Sequence, residues 1–224
     1  MNIIRNIYRS LLPVSLRTSL PVTKLKSHLL GHDWIYNSDY YETTIEGPAL
    51  VSARRIAISI VDDFAPTRVI DVGCGTGALL EALREMGCEV FGLEYSEAAL
   101  KYCRSRKLSV AKFDLETDVF HGNRVFEVAV SMEVAEHLPK NISDRYVDLL
   151  ASVAKVIVFG AAPPGQGGTA HLNEQPPSYW IAKFQQRGFT PAEELSQRWR
   201  TIWQATGDVR EWYYHNLIIF QRAS

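Results

Sequence analysis

Two groups of residues in this 224-residue chain have the types and spacing for chemistry. The first is a set of three acids, Asp71, Glu94 and Asp114, each at the end of a short apolar run. Asp71 is followed at once by a glycine-rich turn, Gly73-Cys74-Gly75-Thr76-Gly77. Glycines there let backbone come within contact distance of a ligand, where a Cβ would occupy the ligand's space. A carboxylate at the strand end before such a turn suits a cationic ligand, not a phosphate. The second group is Glu133, Glu136 and His137, with His171 further on, followed by Asn173 and Glu174. Residues 133, 136 and 137 fall at i, i+3 and i+4, so a helical turn puts them on one face. Imidazole titrates near working pH, which makes His137 or His171 a general base. Alternatively, Glu133, Glu136, His137 and His171 surround a divalent metal that acidifies a hydroxyl. The base reading is preferred and no metal is assigned.

The elements that must position these groups alternate between strand and helix patterns. Val69, Ile70 and Val72 read as a buried parallel strand that breaks into the glycine turn and then a helix from Ala78 to Met86. Further strands are expected at Glu89 to Leu93, Ser109 to Phe113, Phe126 to Ser131 and Lys155 to Phe159. Helices are expected over Ala49 to Phe64 behind Pro48, Glu97 to Arg106 with Ser96 as its cap, Asn141 to Ser152, and Ser178 to Arg187. Residues 190–206 fit either a helix or an irregular sixth strand, and Asn216 to Gln221 closes the chain as a strand. The segment Gly160 to Pro177 is too rich in glycine and proline to be regular, and a loop of that length in a compact domain is usually functional.

The turn is not the G-x-G-x-x-G of dinucleotide folds, and no P-loop motif is present. D-x-G-C-G-T-G instead resembles motif I of the class I S-adenosylmethionine-dependent methyltransferases. Met132-Glu133-Val134-Ala135-Glu136-His137 resembles their motif IV in its E-V-x-E-H version, as found in small-molecule enzymes of the ubiquinone-pathway type. The resemblance covers about residues 45–222. It implies a Rossmann-like α/β fold: a seven-stranded sheet with helices on both faces and an antiparallel last strand. It implies that Asp71, Gly73, Cys74, Gly75 and Gly77 hold the amino-acid end of the cofactor, and that Glu94 takes the ribose diol. It further implies that Tyr95 packs along the adenosine, that Asp114 accepts from the adenine amino group, and that Leu115 brackets the ring. Met132, Glu133 and the aromatic-segment residue Tyr41 complete the expected cofactor site.

The expected activity is methyl transfer to a small-molecule acceptor, with a hydroxyl of a glycan or natural-product intermediate preferred. A loop histidine after E-V-x-E-H also resembles the metal-dependent small-RNA 2′-O-methyltransferases, so a nucleic-acid O-methyltransferase is the alternative enzyme. A catalytically silent cofactor-binding scaffold is the alternative of another class. The acceptor pocket is expected to draw on Trp34 to Tyr41, the loop around His171, and the group Trp199, Trp203, Trp212, Tyr213 and Tyr214, of which Trp199 and Trp203 read better as core.

Composition fits one globular α/β domain, with 46% hydrophobic and 22% charged residues and a net charge of −1 that argues against nucleic acid as a partner. Residues 1–32 carry five cations and no acid, which leaves −6 for the rest. Residues 1–44 are read as a basic helical extension plus an aromatic lid, and 45–224 as the methyltransferase domain. Docking of the extension on the domain is preferred, with peripheral contact to an anionic membrane surface second. Cys74, Cys88 and Cys103 lack C-x-x-C pairing and read as reduced thiols of a cytoplasmic protein.

Overall fold

The structure is a computed structural model that describes residues 38–121 and 126–223. The basic extension, Trp34 and Tyr36 lie outside the described residues. A helical turn at Ser38–Tyr40 and a wider π-type turn at Tyr41–Ile45 lead into α1, Glu46–Phe64. The helix begins earlier than the expected Ala49. Pro48 lies inside its first turn, where a missing N–H costs least.

Strand β1 (Arg68–Val72) is followed by α2 (Ala78–Glu85), β2 (Glu89–Glu94), α3 (Glu97–Ser105), β3 (Val110–Lys112) and β4 (Phe126–Met132). The second half runs through α4 (Ser143–Val153), β5 (Ala154–Gly160), α5 (Pro177–Gln185), β6 (Phe189–Pro191), α6 (Glu193–Thr206), α7 (Glu211–Asn216) and β7 (Leu217–Arg222). The ambiguous stretch 190–206 therefore divides: its start pairs as part of a short edge strand and the rest is helix. The seven strands form one sheet in the order 3-2-1-4-5-7-6. Pairs β3–β2, β2–β1, β1–β4 and β4–β5 are parallel, and β7 is antiparallel to both β5 and β6.

The sheet is buried on both faces, so apolar residues are continuous along its central strands instead of alternating with polar ones. One face sets Val69, Val128, Val130, Val158 and Ile219 against Ile56 and Ile60 of α1, Leu80 and Leu83 of α2, and Trp199 and Trp203 of α6. The other sets Ile70, Val72, Ile157, Phe159 and Phe220 against Tyr146 and Leu150 of α4 and Trp180 and Phe184 of α5. Trp199 and Trp203 are fully buried core residues, and the Trp203 indole N–H donates to Ser59 Oγ at 2.9 Å. Among the described residues no helix is long and apolar enough to cross a membrane.

Strand order reverses between β1 and β4, with β2 and β3 on one side and β5 on the other. In open α/β sheets ligands bind in the crevice at the carboxyl ends of the strands at such a switch point.

Candidate active site

A cavity of about 730 Å³ opens there, lined by the glycine turn, the strand-end acids, the turn after β4, the loop before α5, and α7. Asp71, Glu94 and Asp114 share its wall with Gly73, Cys74, Gly75, Tyr95 and Leu115. Met132, Glu133, His137, His171 and Tyr41 line it too, so positions far apart in the chain meet around one space, together with Glu136. Gly77 is the exception. It has φ +81, and a Cβ there would fall 2.5 Å from Leu108 and 2.9 Å from the Cys103 sulfur. Its side is filled by protein, so it serves the packing of α2 against the segment after α3. A Cβ on Gly75, in contrast, would meet nothing within 4 Å.

Glu94 is the pivot of the side of the cavity formed by the strand-end acids. Its carboxylate accepts the Gly75 N–H at 2.9 Å and the Ser96 N–H at 2.7 Å, and the Tyr41 hydroxyl is bonded to it as well. Burial nevertheless holds its carboxyl above the usual range, against these hydrogen bonds. Burial, and then the neighbouring Glu94, push Asp71 up to about 7. Two buried acids that resist ionisation together are relieved by a bound cation. The glycine cradle and this donor set thus fit the ammonium and sulfonium end of S-adenosylmethionine. Asp114 also shapes the backbone, because its Oδ1 accepts the Glu116 N–H at 2.9 Å in an Asx turn that fixes the loop after β3.

The other side of the cavity holds the histidines. Val134 leads into a 3₁₀ turn at Ala135–His137, and the His137 and His171 rings meet edge to face with centroids 5.0 Å apart. Donor atoms of Glu136, His137 and His171 all lie within 4.8 Å of one another. Glu136 is wholly buried, and among the described residues neither carboxylate oxygen has a hydrogen-bond partner of good geometry. Burial and then the nearby Glu133 raise its carboxyl well above the usual range. Glu133 lies beside this trio, with its carboxyl against that of Glu136, and it also bonds two side-chain amides. Its Oε1 accepts from Asn216 Nδ2 at 2.9 Å and its Oε2 from Gln166 Nε2 at 3.4 Å. The expected four-residue set is therefore a close group of three, with Glu133 beside it.

Two non-glycine residues with left-handed backbone flank these groups, Glu133 at φ +57 and Ala170 at φ +60. Such residues cost about 1–3 kcal/mol each and persist where the surroundings over-determine them. Here the turn from β4 is held by Glu133 N–H on Gly160 O at 2.9 Å, and the stretch after His171 by Leu172 and Asn173 N–H on Glu136 O at 2.7 and 3.0 Å.

Tyr40 arrives on the cavity with the aromatic segment expected there, whereas Gln166 and His215 are not singled out in the sequence. The Tyr40 hydroxyl is pushed up to about 12 by burial and then by Glu136 and Glu94. Gln166 and His215 also face the space. Of the C-terminal aromatics, Trp212 and Tyr213 reach the cavity, while Tyr214 packs against the core.

Comparison with known proteins agrees with this architecture. Residues 49–160, half of the chain, match the family described as "Methyltransferase domain". A ubiquinone biosynthesis O-methyltransferase of Nitrosomonas europaea is 28% identical over 162 residues, 70% of this chain and 64% of that protein. The enzyme of the same name from Methylococcus capsulatus is 31% identical over 167 residues, 72% of this chain and 65% of that protein. The matched stretch thus spans just under two thirds of these relatives' length. Among solved structures, magnesium protoporphyrin IX methyltransferase from Synechocystis PCC 6803, with SAH bound, superposes with a TM-score of 0.60 at 15% identity, covering 90% of this chain and 99% of that one. The likeness in fold and the matching sequence together place this chain in the methyltransferase domain family.

Proposed function

We propose that this protein is an S-adenosylmethionine-dependent methyltransferase that methylates a hydroxyl of a small, partly apolar molecule, with His171 and His137 as its acid–base groups. The observation that carries the reading is the meeting of the two histidines, 34 positions apart in sequence, on the cavity that also holds the three strand-end acids. Oxygen as the acceptor atom is supported by the relatives named for O-methylation in ubiquinone biosynthesis. A natural-product intermediate suits the aromatic lining of Tyr40, Tyr41, Trp212 and Tyr213 better than a glycan does. Tyr40, Tyr41 and Ile45, which line the cavity just before α1, serve as a lid over it.

When bound, S-adenosylmethionine supplies a methyl group already activated on a sulfonium. The work left to the protein is alignment, exclusion of water and removal of a proton. Asp71, Glu94 and the glycine turn hold the cofactor's charged and hydroxyl-bearing groups. With the cofactor bound, His171 would take the acceptor's proton as the acceptor oxygen gained the methyl group that the sulfonium gives up. The products are a methyl ether, S-adenosylhomocysteine and an imidazolium that then releases its proton to solvent.

The close approach of donor atoms from Glu136, His137 and His171 favours a second reading, in which the three hold a divalent cation that acidifies the same hydroxyl.

Calorimetric titration with S-adenosylmethionine tests the cofactor assignment, with Asp71→Ala as control. Micromolar binding that the substitution abolishes is the expected result. Folded wild-type protein that binds nothing would leave the scaffold alternative in front. With an acceptor in hand, His171→Ala is expected to slow transfer about 10²–10⁴-fold while leaving cofactor affinity intact. An unchanged rate would remove His171 from the mechanism.

A further inference from the structure

The segment between β5 and α5 has almost no regular structure, yet its shape is set by one side chain. Glu174 Oε2 accepts the Gly165 N–H at 2.8 Å, and Oε1 accepts the Gly167 N–H at 2.8 Å. The same Oε1 lies 2.8 Å from His171 Nδ1. Burial opposes the charge of this carboxylate, but the His171 contact and the two glycine N–H groups outweigh it and hold the carboxyl below its usual range.

An acceptor-only carboxylate dictates which nitrogen of a facing imidazole carries the proton. With Glu174 ionised, neutral His171 must be the Nδ1–H tautomer, and Nε2 keeps its lone pair. That nitrogen lies on the side of Gly168, a cavity residue, where a Cβ would fall 2.3 Å from it. The ring is almost wholly buried, and its backbone is fixed by Leu172 and Asn173 N–H on the Glu136 carbonyl. The titratable groups nearest it from other segments are His137 and Glu136.

We propose that Glu174 is the positioning residue of this site: its one carboxylate folds the Gly165–Gly167 turn and locks His171 so that Nε2 is the nitrogen offered to the acceptor. The proposal rests on His171 being the working group, but its central claim concerns the free protein. A staple for the loop alone would need only the two glycine contacts. Here the oxygen that bonds Gly167 also faces the imidazole, so loop shape and ring tautomer are one property. Histidine in water prefers the opposite tautomer, Nε2–H, which is what makes the arrangement measurable.

The test is nitrogen NMR of histidine-labelled full-length protein at about pH 8, where imidazole is neutral, with His171→Ala to assign the signal. The expected spectrum shows a protonated Nδ1 and an unprotonated Nε2 for His171. An Nε2–H tautomer in the wild type overturns the proposal. In activity, Glu174→Ala is expected to lower kcat about 10–100-fold, the range seen when a histidine loses its orienting carboxylate. The KM for S-adenosylmethionine should move less than about twofold, and Glu174→Gln, which keeps an acceptor for Nδ1–H, should recover part of the rate. If His171→Ala slows the reaction and Glu174→Ala does not, the positioning role is wrong. If His171→Ala has no effect while the Nδ1–H tautomer is present, the base assignment fails and the orientation by Glu174 stands.

Discussion

The Glu94 carboxylate accepts the Gly75 backbone N–H at 2.9 Å, so the acid that ends β2 also sets the glycine turn that follows β1. Two adjacent strand ends are thereby made into one rigid rim. Ser96, whose N–H the same carboxylate accepts and whose hydroxyl caps α3, extends that rim into the next helix. A ligand reaching this edge finds backbone and carboxylate already in place, which lowers the ordering cost of binding.

Glu94→Gln should therefore weaken cofactor binding by more than one lost contact. The amide keeps one acceptor oxygen and turns an N–H₂ toward a backbone donor. A loss of about 1.5–3 kcal/mol, or roughly 10–150-fold in Kd, is expected from the charged hydrogen bonds removed. Calorimetry with S-adenosylmethionine measures it, and a change below about twofold would take Glu94 out of the binding site.

Asp71 gives the site a pH signature. Burial and Glu94 push its carboxyl up to about 7, above its unfolded value, so the folded protein holds this proton more tightly than the unfolded chain. Its contribution to stability is full below the unfolded pKa and is lost as pH rises through about 7. A cationic ligand has the opposite preference, because it favours the ionised acid. Affinity for S-adenosylmethionine should thus be about tenfold weaker at pH 6 than at pH 8, and Asp71→Asn should flatten the dependence. A flat wild-type profile would mean that Asp71 stays ionised without ligand.

Arg106 ties the lid side to the glycine turn. Its guanidinium reaches Glu81 of α2 at 2.7 Å, the Thr76 carbonyl at 3.0 Å, and Glu46 at the start of α1. Arg106 and Glu46 are mostly buried, so removing the cation strands an acid in poor solvent. Arg106→Ala should cost about 2 kcal/mol, discounted for partial exposure, which lowers Tm by roughly 4–8 °C in a chain of this size. It should also weaken cofactor binding, because Thr76 belongs to the turn. A normal melting curve with normal affinity would show that Arg106 is dispensable to both.

Much of this site was legible in the sequence because its parts are local. Asp71 to Gly77, Glu94 to Ser96 and Met132 to His137 each carry their spacing within a few residues, and the ligand positions expected among them arrive on the cavity except Gly77. The role of Gly77 depended on Leu108 and Cys103, about 30 positions away, which no local pattern reports. The roles of Glu174, Gln166 and Asn216 were illegible for the same reason: their partners are chosen by how an irregular loop closes over β4 and α7. Helix α7, Glu211–Asn216, left no clear signal because it is short and rich in aromatics of modest helix propensity. In 190–206, the short strand β6 masked a helix whose apolar positions, Trp199 and Trp203, are spaced for a single buried face.

Gly77 yields a packing prediction that separates fold from binding. A methyl group at this position would press on the Leu108 Cδ1 and Cys103 Sγ, and the backbone φ of +81 is unfavourable for any residue with a Cβ. Gly77→Ala should destabilise the protein by about 2–4 kcal/mol, combining overpacking with the left-handed conformation. Urea unfolding would register this as a lower midpoint at unchanged slope. Native stability in the variant would show that the α2–α3 junction relaxes freely, and would return Gly77 to consideration as a ligand glycine.

The trio of Glu136, His137 and His171 allows a direct decision between proton removal by imidazole and assistance by a cation. With imidazole as the base, methyl transfer should persist at full rate after exhaustive treatment with a chelator. Loss of activity that returns with added divalent ion would assign the trio to a metal, since their donor atoms lie within 4.8 Å of one another. Glu136→Gln sharpens the comparison. Glu136 is wholly buried with its carboxyl raised by burial and by Glu133, so an amide of the same shape replaces a group already inclined to be neutral. Stability should then change by less than about 1 kcal/mol or rise slightly, because no charge is left to bury. Under the base reading the rate survives that substitution. Under the metal reading it falls with the lost ligand, and measuring rate and melting temperature together tells the two apart.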